Sequence, residues 1–218
     1  MAKQIDAKQA VDLIQDGMTL MIGGFMSNGT PEILMDALVE KGVRDLTIIA
    51  NDSGTPDTGI GKLVAAGAVK KLIASHIGLN PQTGQLMNEG VIEVTLVPQG
   101  TLAEQVRAGG AGLGGVLTPT GLGTDVANGK EVLTIDGKDF LLEKPLRADV
   151  ALLRGSIVDE SGNMYYRGTT RNFNPLMAMA ADTVIVAAEE LVPLGQIQPE
   201  HVVTPGIFVD YIVGGEGA

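Results

Sequence analysis

Apolar positions along the chain alternate between helical and strand-like spacing. From Asp6 to Gln15 they fall at Ala7, Ala10, Val11 and Ile14, one face of a helix that Asp16-Gly17 closes. Met18 to Ile22 is apolar except for Thr19, as expected of a strand covered on both faces. Pro31 suits the first turn of a helix over EILMDALVEKGV, with Thr30 as its N-cap and Gly42 as its stop. Asp45–Ala50 reads as a further strand of the Met18–Ile22 type, and Val69–Ile77 and Val91–Val97 as strands. Between and after them come a helix over Gly61–Gly67, a short turn or helix near Gln85–Glu89, and a helix over Thr101–Ala108. This alternation predicts an α/β fold with a mainly parallel sheet and helices on both sides.

The pattern changes after Ala108. Gly109–Gly123 is too rich in glycine for a regular element and predicts a long ordered loop or lid. Glu131–Leu142 carries apolar runs on either side of Asp136-Gly137, a type I′ hairpin signal, and Ser156–Tyr166 predicts a second hairpin turning at Ser161-Gly162. Val150–Leu153 reads as a buried strand, Asn174–Ala181 as a helix opened by Asn-Pro, and Thr183–Ala187 as a final buried strand. Strands recur in both halves with no polar linker. Residues 1–218 therefore read as one domain with antiparallel additions.

Composition narrows the classes. Hydrophobic content is 44% but aromatic content only 3%, so the core must be aliphatic. A net charge of -11 argues against a chain that neutralises nucleic-acid phosphates. The absence of cysteine excludes disulfides, thiolate nucleophiles and cysteine metal sites, and suits a reducing cytoplasm. The first residues are amphipathic without an apolar signal core, and no apolar run reaches the roughly 20 residues needed to span a bilayer. A soluble cytoplasmic protein with neither nucleic acid nor membrane as partner is the expectation.

In open α/β sheets, ligands bind beyond the carboxyl ends of the strands, near a topological switch point. That rule selects Gly23-Gly24-Phe25, Asn51-Asp52, Ser75-His76 and Pro98-Gln99-Gly100. The glycine pair either admits a ligand close to the backbone or lets its own turn pack tightly. Asn51 and Gln99 carry amide donors able to polarise a carbonyl, or to cap their loops. No G-x-S-x-G elbow is present. His76 and His201 are too few and too separated to suggest a metal, and read as structural. Glu160-Ser161-Gly162 reads as a hairpin tip. Arg147, Arg154, Arg167 and Arg171 are basic spots that either meet phosphates or pair with carboxylates.

Several blocks together carry a resemblance: DGMTLMIGGFMSNGTP from Asp16, LTIIANDSGTPDTGIG from Leu46, VPQGTLAEQVRAGGAGLGGVLTPTGLGT from Val97, LLEKPLRADVAL from Leu141 and RNFNP from Arg171. Over residues 5 to 213 the chain resembles the α (A) subunits of class I coenzyme A-transferases, most nearly the bacterial acetate or butyrate–acetoacetate type. The resemblance implies the three-layer α/β/α sandwich shared with ribose-phosphate and glucosamine-phosphate isomerases. It also implies a β-subunit partner, commonly as an α2β2 heterotetramer with the active site between α and β chains. Coenzyme A is then a substrate, with no permanently bound cofactor. Acetyl-CoA or butyryl-CoA would exchange CoA with a carboxylate such as acetoacetate. The family's nucleophilic glutamate lies in a Ser-Glu-Asn-Gly motif of the β chain. This chain lacks that motif, so no catalytic nucleophile is expected in it. By the same resemblance Gly24, Phe25, Asn51, Asp52, Gln99 and Gly100 line the carboxylate pocket, with Gly24 and Phe25 as its wall. Asp52 stands where fused relatives often have Asn. Two other readings are a non-catalytic acyl- or nucleotide-binding module and a sugar-phosphate isomerase.

Overall fold

The computed structural model of the chain describes residues 2–214. In chain order the first half contains β1 (Lys3–Gln4), α1 (Ala7–Asp12), β2 (Thr19–Ile22), α2 (Glu32–Lys41), β3 (Leu46–Ile49), α3 (Ile60–Ala65), β4 (Val69–Ala74), α4 (Pro81–Asn88), β5 (Glu93–Leu96) and α5 (Gln99–Gly110). The second half adds β6 (Val116–Thr118), β7 (Val132–Ile135), β8 (Lys138–Glu143), β9 (Ala148–Gly155), β10 (Ile157–Asp159), β11 (Met164–Tyr165), α6 (Asn174–Met177), β12 (Ala181–Ala188), β13 (Leu191–Val192) and β14 (Tyr211–Gly214).

Eight strands form one sheet in the order β1-β14-β12-β9-β2-β3-β4-β5, and every recorded pairing within it is parallel. The chain runs outward from β2 to β5, then returns to place β9 and β12 on the other side of β2. The direction of winding therefore reverses between β2 and β9, which is the switch point of this sheet. Successive strand residues feed opposite faces. Leu20, Ile22, Ile48 and Leu152 pack with Leu34 and Leu38 of α2 and Leu63 of α3, whereas Met21, Ile49, Ala151 and Leu153 pack with Leu102 and Val106 of α5 and Met177 of α6. Helices thus cover both faces of an aliphatic sheet, giving three layers. Each fully buried Leu or Ile contributes about 1.5–3 kcal/mol by leaving water.

Local signals explain most boundaries. Asp6 caps α1 in a reciprocal pair with Gln9, and Gly42 ends α2 at φ 74°, where a side chain would be strained. Asp136 and Gly137 both take positive φ (51° and 72°) and close the antiparallel β7–β8 hairpin as a type I′ turn. The β10–β11 hairpin also forms as expected, turning through Gly162 at φ 94°.

Other boundaries move. Thr30 does not cap α2: the position before Glu32 is Pro31, with no side-chain cap. Gln99 and Gly100 are the opening residues of α5, not a loop ahead of it. The glycine-rich stretch is not one loop, because α5 continues to Gly110 and β6 pairs with β8. Its glycines serve close packing: a Cβ at Gly109 would lie 1.9 Å from the Leu146 carbonyl oxygen, and one at Gly110 would lie 2.7 Å from the Met179 Cβ. Helix α6 stops at Met177. Strand β12 is not the last, since β13 and β14 follow.

Candidate functional site

Strands β2, β3, β4 and β5 are neighbours in the sheet, so the four loops selected from the sequence do fall along one edge. A cavity of about 400 Å³ opens there, lined by Phe25, Met26, Asp52, Ser75, His76, Leu79 and Gln99. Phe25, Met26 and Leu79 are its apolar lining. Asp52, Ser75, His76 and Gln99 are its polar lining.

The turn after β2 is a miniature hairpin. Phe25 and Asn28 exchange backbone hydrogen bonds (3.0 and 2.9 Å), and the two residues between them, Met26 and Ser27, both have positive φ (48° and 64°). Such turns favour Asn-Gly, and a side chain in the left-handed region costs about 1–2 kcal/mol per residue. Asp52 helps to offset that cost. Its Oδ2 accepts from the Met26 N–H (2.9 Å) and the Asn51 Nδ2 (2.8 Å), and its Oδ1 accepts from the Gly54 N–H (2.8 Å). Asp52 is buried, and both its oxygens are committed to this chain. It is a clamp on the turn.

Asn51 is buried behind Asp52 and does not line the cavity. Its amide donates to Asp52, while its Oδ1 is buried with no partner, so the donor role expected of Asn51 is largely spent inside the protein. Gln99 differs. It is exposed at the N-terminus of α5, where no side chain caps the helix, and its Oε1 faces the Ser75 hydroxyl. That leaves the Gln99 amide hydrogens free. The Ser75 hydroxyl also reaches the Asn51 carbonyl oxygen at 2.8 Å. Its neighbours are thus two carbonyl-type acceptors and no base, so Ser75 is not an activated nucleophile.

The glycine pair serves packing. A Cβ on Gly23 would lie 1.8 Å from Asn174 Oδ1, and one on Gly24 would lie 2.0 Å from Thr30 Oγ1. The Gly24 N–H is taken by Asn172 Oδ1 at 3.1 Å. Asn172 donates onward to the Asn28 carbonyl (2.9 Å), and Asn174 donates to the Gly29 carbonyl (3.1 Å) while accepting from the Arg154 N–H (3.1 Å). The tight-turn alternative therefore describes Gly23 and Gly24, and the RNFNP block is what fills the space above them. Gly100 lines a neighbouring cavity of about 540 Å³ with Thr101, Glu104 and Arg107. Of the six residues expected at the pocket, Phe25, Asp52 and Gln99 meet at one cavity. Met26, Ser75, His76 and Leu79 complete it.

Three of the singled-out arginines are ion-paired: Arg147 with Asp182 (2.7 Å), Arg154 with Glu189 (2.7 Å) and Arg167 with Glu190 (2.6 Å). Glu160 is exposed at its hairpin tip, as expected. Its neighbour Asp159 is buried and accepts from the Ser161 hydroxyl (2.7 Å), the Asn163 side chain (2.9 Å) and the backbone N–H groups of both residues. Burial pushes the Asp159 carboxyl up, but these donors outweigh it and hold it below the usual carboxylate value. No group of three or more His, Asp or Glu residues is placed to hold a metal ion among the described residues.

A parallel sheet that reverses its winding, with a small cavity of amide, hydroxyl and apolar groups at its carboxyl edge, defines an open α/β protein with a cavity at its switch-point edge. The chain belongs to the coenzyme A transferase family, whose pattern it matches over residues 4–215. It is 57% identical over 211 residues to the acetate CoA-transferase subunit alpha of Escherichia coli K12, covering 97% of this chain and 96% of that one. It is 59% identical over 199 residues to the acetoacetyl-CoA:acetate/butyrate CoA transferase alpha subunit of Clostridium acetobutylicum, covering 91% of each. The crystal structure of an acyl-CoA transferase from E. coli O157:H7, a thioester complex with CoA, superposes with a TM-score of 0.88 at 24% identity. The likeness covers 98% of this chain and 50% of that one, and concerns the fold. No described helix is long and apolar enough to cross a membrane.

Proposed function

We propose that this chain is the α subunit of a CoA-transferase that moves CoA between a short-chain acyl-CoA, such as acetyl-CoA or butyryl-CoA, and a carboxylic acid such as acetoacetate. The observation that carries the reading is a cavity with donors but no nucleophile. Its only carboxylate among the described residues, Asp52, has both oxygens occupied, and the Ser75 hydroxyl is hydrogen-bonded to two carbonyl oxygens and not to the His76 imidazole. A partner must therefore bring the group that attacks. We assign it to a β-subunit glutamate in an α2β2 assembly working in the cytoplasm.

The reaction then runs in two halves. The glutamate attacks the thioester carbonyl, giving an acyl-glutamyl anhydride and CoA thiolate. The thiolate attacks the glutamyl carbonyl, forming a glutamyl-CoA thioester and releasing the first acid. An incoming carboxylate attacks that thioester, and the thiolate it frees takes the new acyl group, restoring the glutamate. Each tetrahedral step puts negative charge on an oxygen. This chain's contribution is the Gln99 amide, a pre-set donor of the kind worth about 3–4 kcal/mol in a transition state. The uncapped N-terminus of α5 adds a favourable field for a carboxylate. Co-expression with the matching β subunit tests the proposal. A stable complex that transfers CoA from acetyl-CoA to acetoacetate is expected, and a chain that forms no complex or supports no transfer overturns it.

A further inference from the structure

We infer that Met26 sets the length of the acid the enzyme accepts. The inference rests on the function proposed above. Three observations on one residue meet here. Met26 lines the cavity with the apolar Phe25 and Leu79, and the same cavity is lined by the polar groups of Ser75, His76 and Gln99. It is 46% exposed beside a Phe25 that is 45% exposed, an apolar pair left open at a cavity that Gln99 also lines. Its backbone sits at φ 48°, a conformation that Gly or Asn would adopt with less strain.

An unfavourable backbone kept at a site and held by surrounding structure points to a function for the side chain it carries. Here the holding group is identifiable, because the buried Asp52 carboxylate accepts from the Met26 N–H at 2.9 Å. The Phe25–Asn28 bridge closes the turn on either side of it. The base of the Met26 side chain is thereby fixed within the cavity that Gln99 also lines. A carboxylate engaged by Gln99 extends its chain toward Met26, and the thioether meets the alkyl end. Acetate leaves that contact unfilled, butyrate reaches it, and a longer acid collides with it. Methionine also suits the task, as its unbranched chain packs against alkyl groups of different shape.

The test uses the reconstituted complex and compares kcat/KM for acetate, butyrate and hexanoate as acceptors. Met26→Gly keeps the left-handed backbone and deletes the wall. It is expected to raise hexanoate relative to acetate by about tenfold or more, in keeping with what one or two methylenes are worth in an apolar pocket. Met26→Leu retains the wall and should keep the wild-type order of acids. Met26→Asn also tolerates the backbone and places a polar group at the wall; it should lower butyrate relative to acetate, and it reads the same position should the glycine variant fail to assemble. If Met26→Gly or Met26→Asn leaves the ratios among acids unchanged while transfer stays active, the inference is overturned and the functional proposal stands. If the wild-type complex moves no CoA, both fall.

Discussion

The two sides of the switch point use the carboxyl ends of their strands differently. Beyond β2 to β5 the ends are left open, with Phe25, Met26, Ser75, His76 and Gln99 around a cavity. Beyond β9, and directly over the glycine pair that follows β2, the space is filled. Asn172 and Asn174 reach back over the glycine pair, Arg154 pairs with Glu189, and Asp159 is closed over by Ser161 and Asn163. Both regions are polar, so polarity alone does not mark a site. The difference lies in whether each group already has its partner. On the filled side the amides and carboxylates are spent on the chain itself, whereas on the open side the Gln99 amide hydrogens are not.

The largest effect should come from breaching the filled side. Gly23→Ala places a Cβ where the buried Asn174 amide now lies, 1.8 Å from Oδ1. A loss of at least about 3 kcal/mol in urea unfolding is expected, from overpacking and the broken hydrogen bonds of Asn174. Near-native stability would show that the plug yields easily.

A change on the open side should spare the fold and touch the chemistry. Gln99→Ala in the reconstituted enzyme should lower turnover by about a hundredfold or more with the complex intact. Unchanged turnover would remove Gln99 from the site and dissolve the contrast drawn above.

A smaller, pH-dependent effect distinguishes the filled side again. Because the Asp159 carboxyl titrates below its ordinary value, its ionised form stabilises the fold above the unfolded-state value of about 3.9. That contribution disappears as pH falls through the folded value. The difference in melting temperature between wild type and Asp159→Asn should therefore be full at neutral pH and shrink below about pH 4. A difference that does not change with pH would mean that charge plays no part in the hydrogen-bonded turn. The smallest effect is expected one residue on, where Glu160→Gln changes an exposed hairpin tip and should leave activity within about twofold. Loss of activity there would return the nucleophile to this chain.

The sequence by itself determined what depends on neighbours along the chain. The alternation of strand and helix, the Asp136-Gly137 and Ser161-Gly162 turns, the Gly42 stop and the position of the strand ends were legible, because they follow from side-chain spacing and from local φ preferences, although Gln99-Gly100 opens a helix where a loop was expected. Met26 was hidden, since nothing in FMSN marks its left-handed backbone. Short strands such as β6 and β14 were hidden too, because only pairing with distant segments holds them. Tertiary structure decided which candidate groups were free. Gly24 and Asn172 are 148 residues apart, yet their hydrogen bond turns an apparent ligand-binding glycine into a packed one. Asp52, expected by resemblance to line the carboxylate pocket, has its oxygens occupied by the backbone N–H groups of Met26 and Gly54. A residue type states which hydrogen bonds are available, but only the fold fixes which of them have already been made.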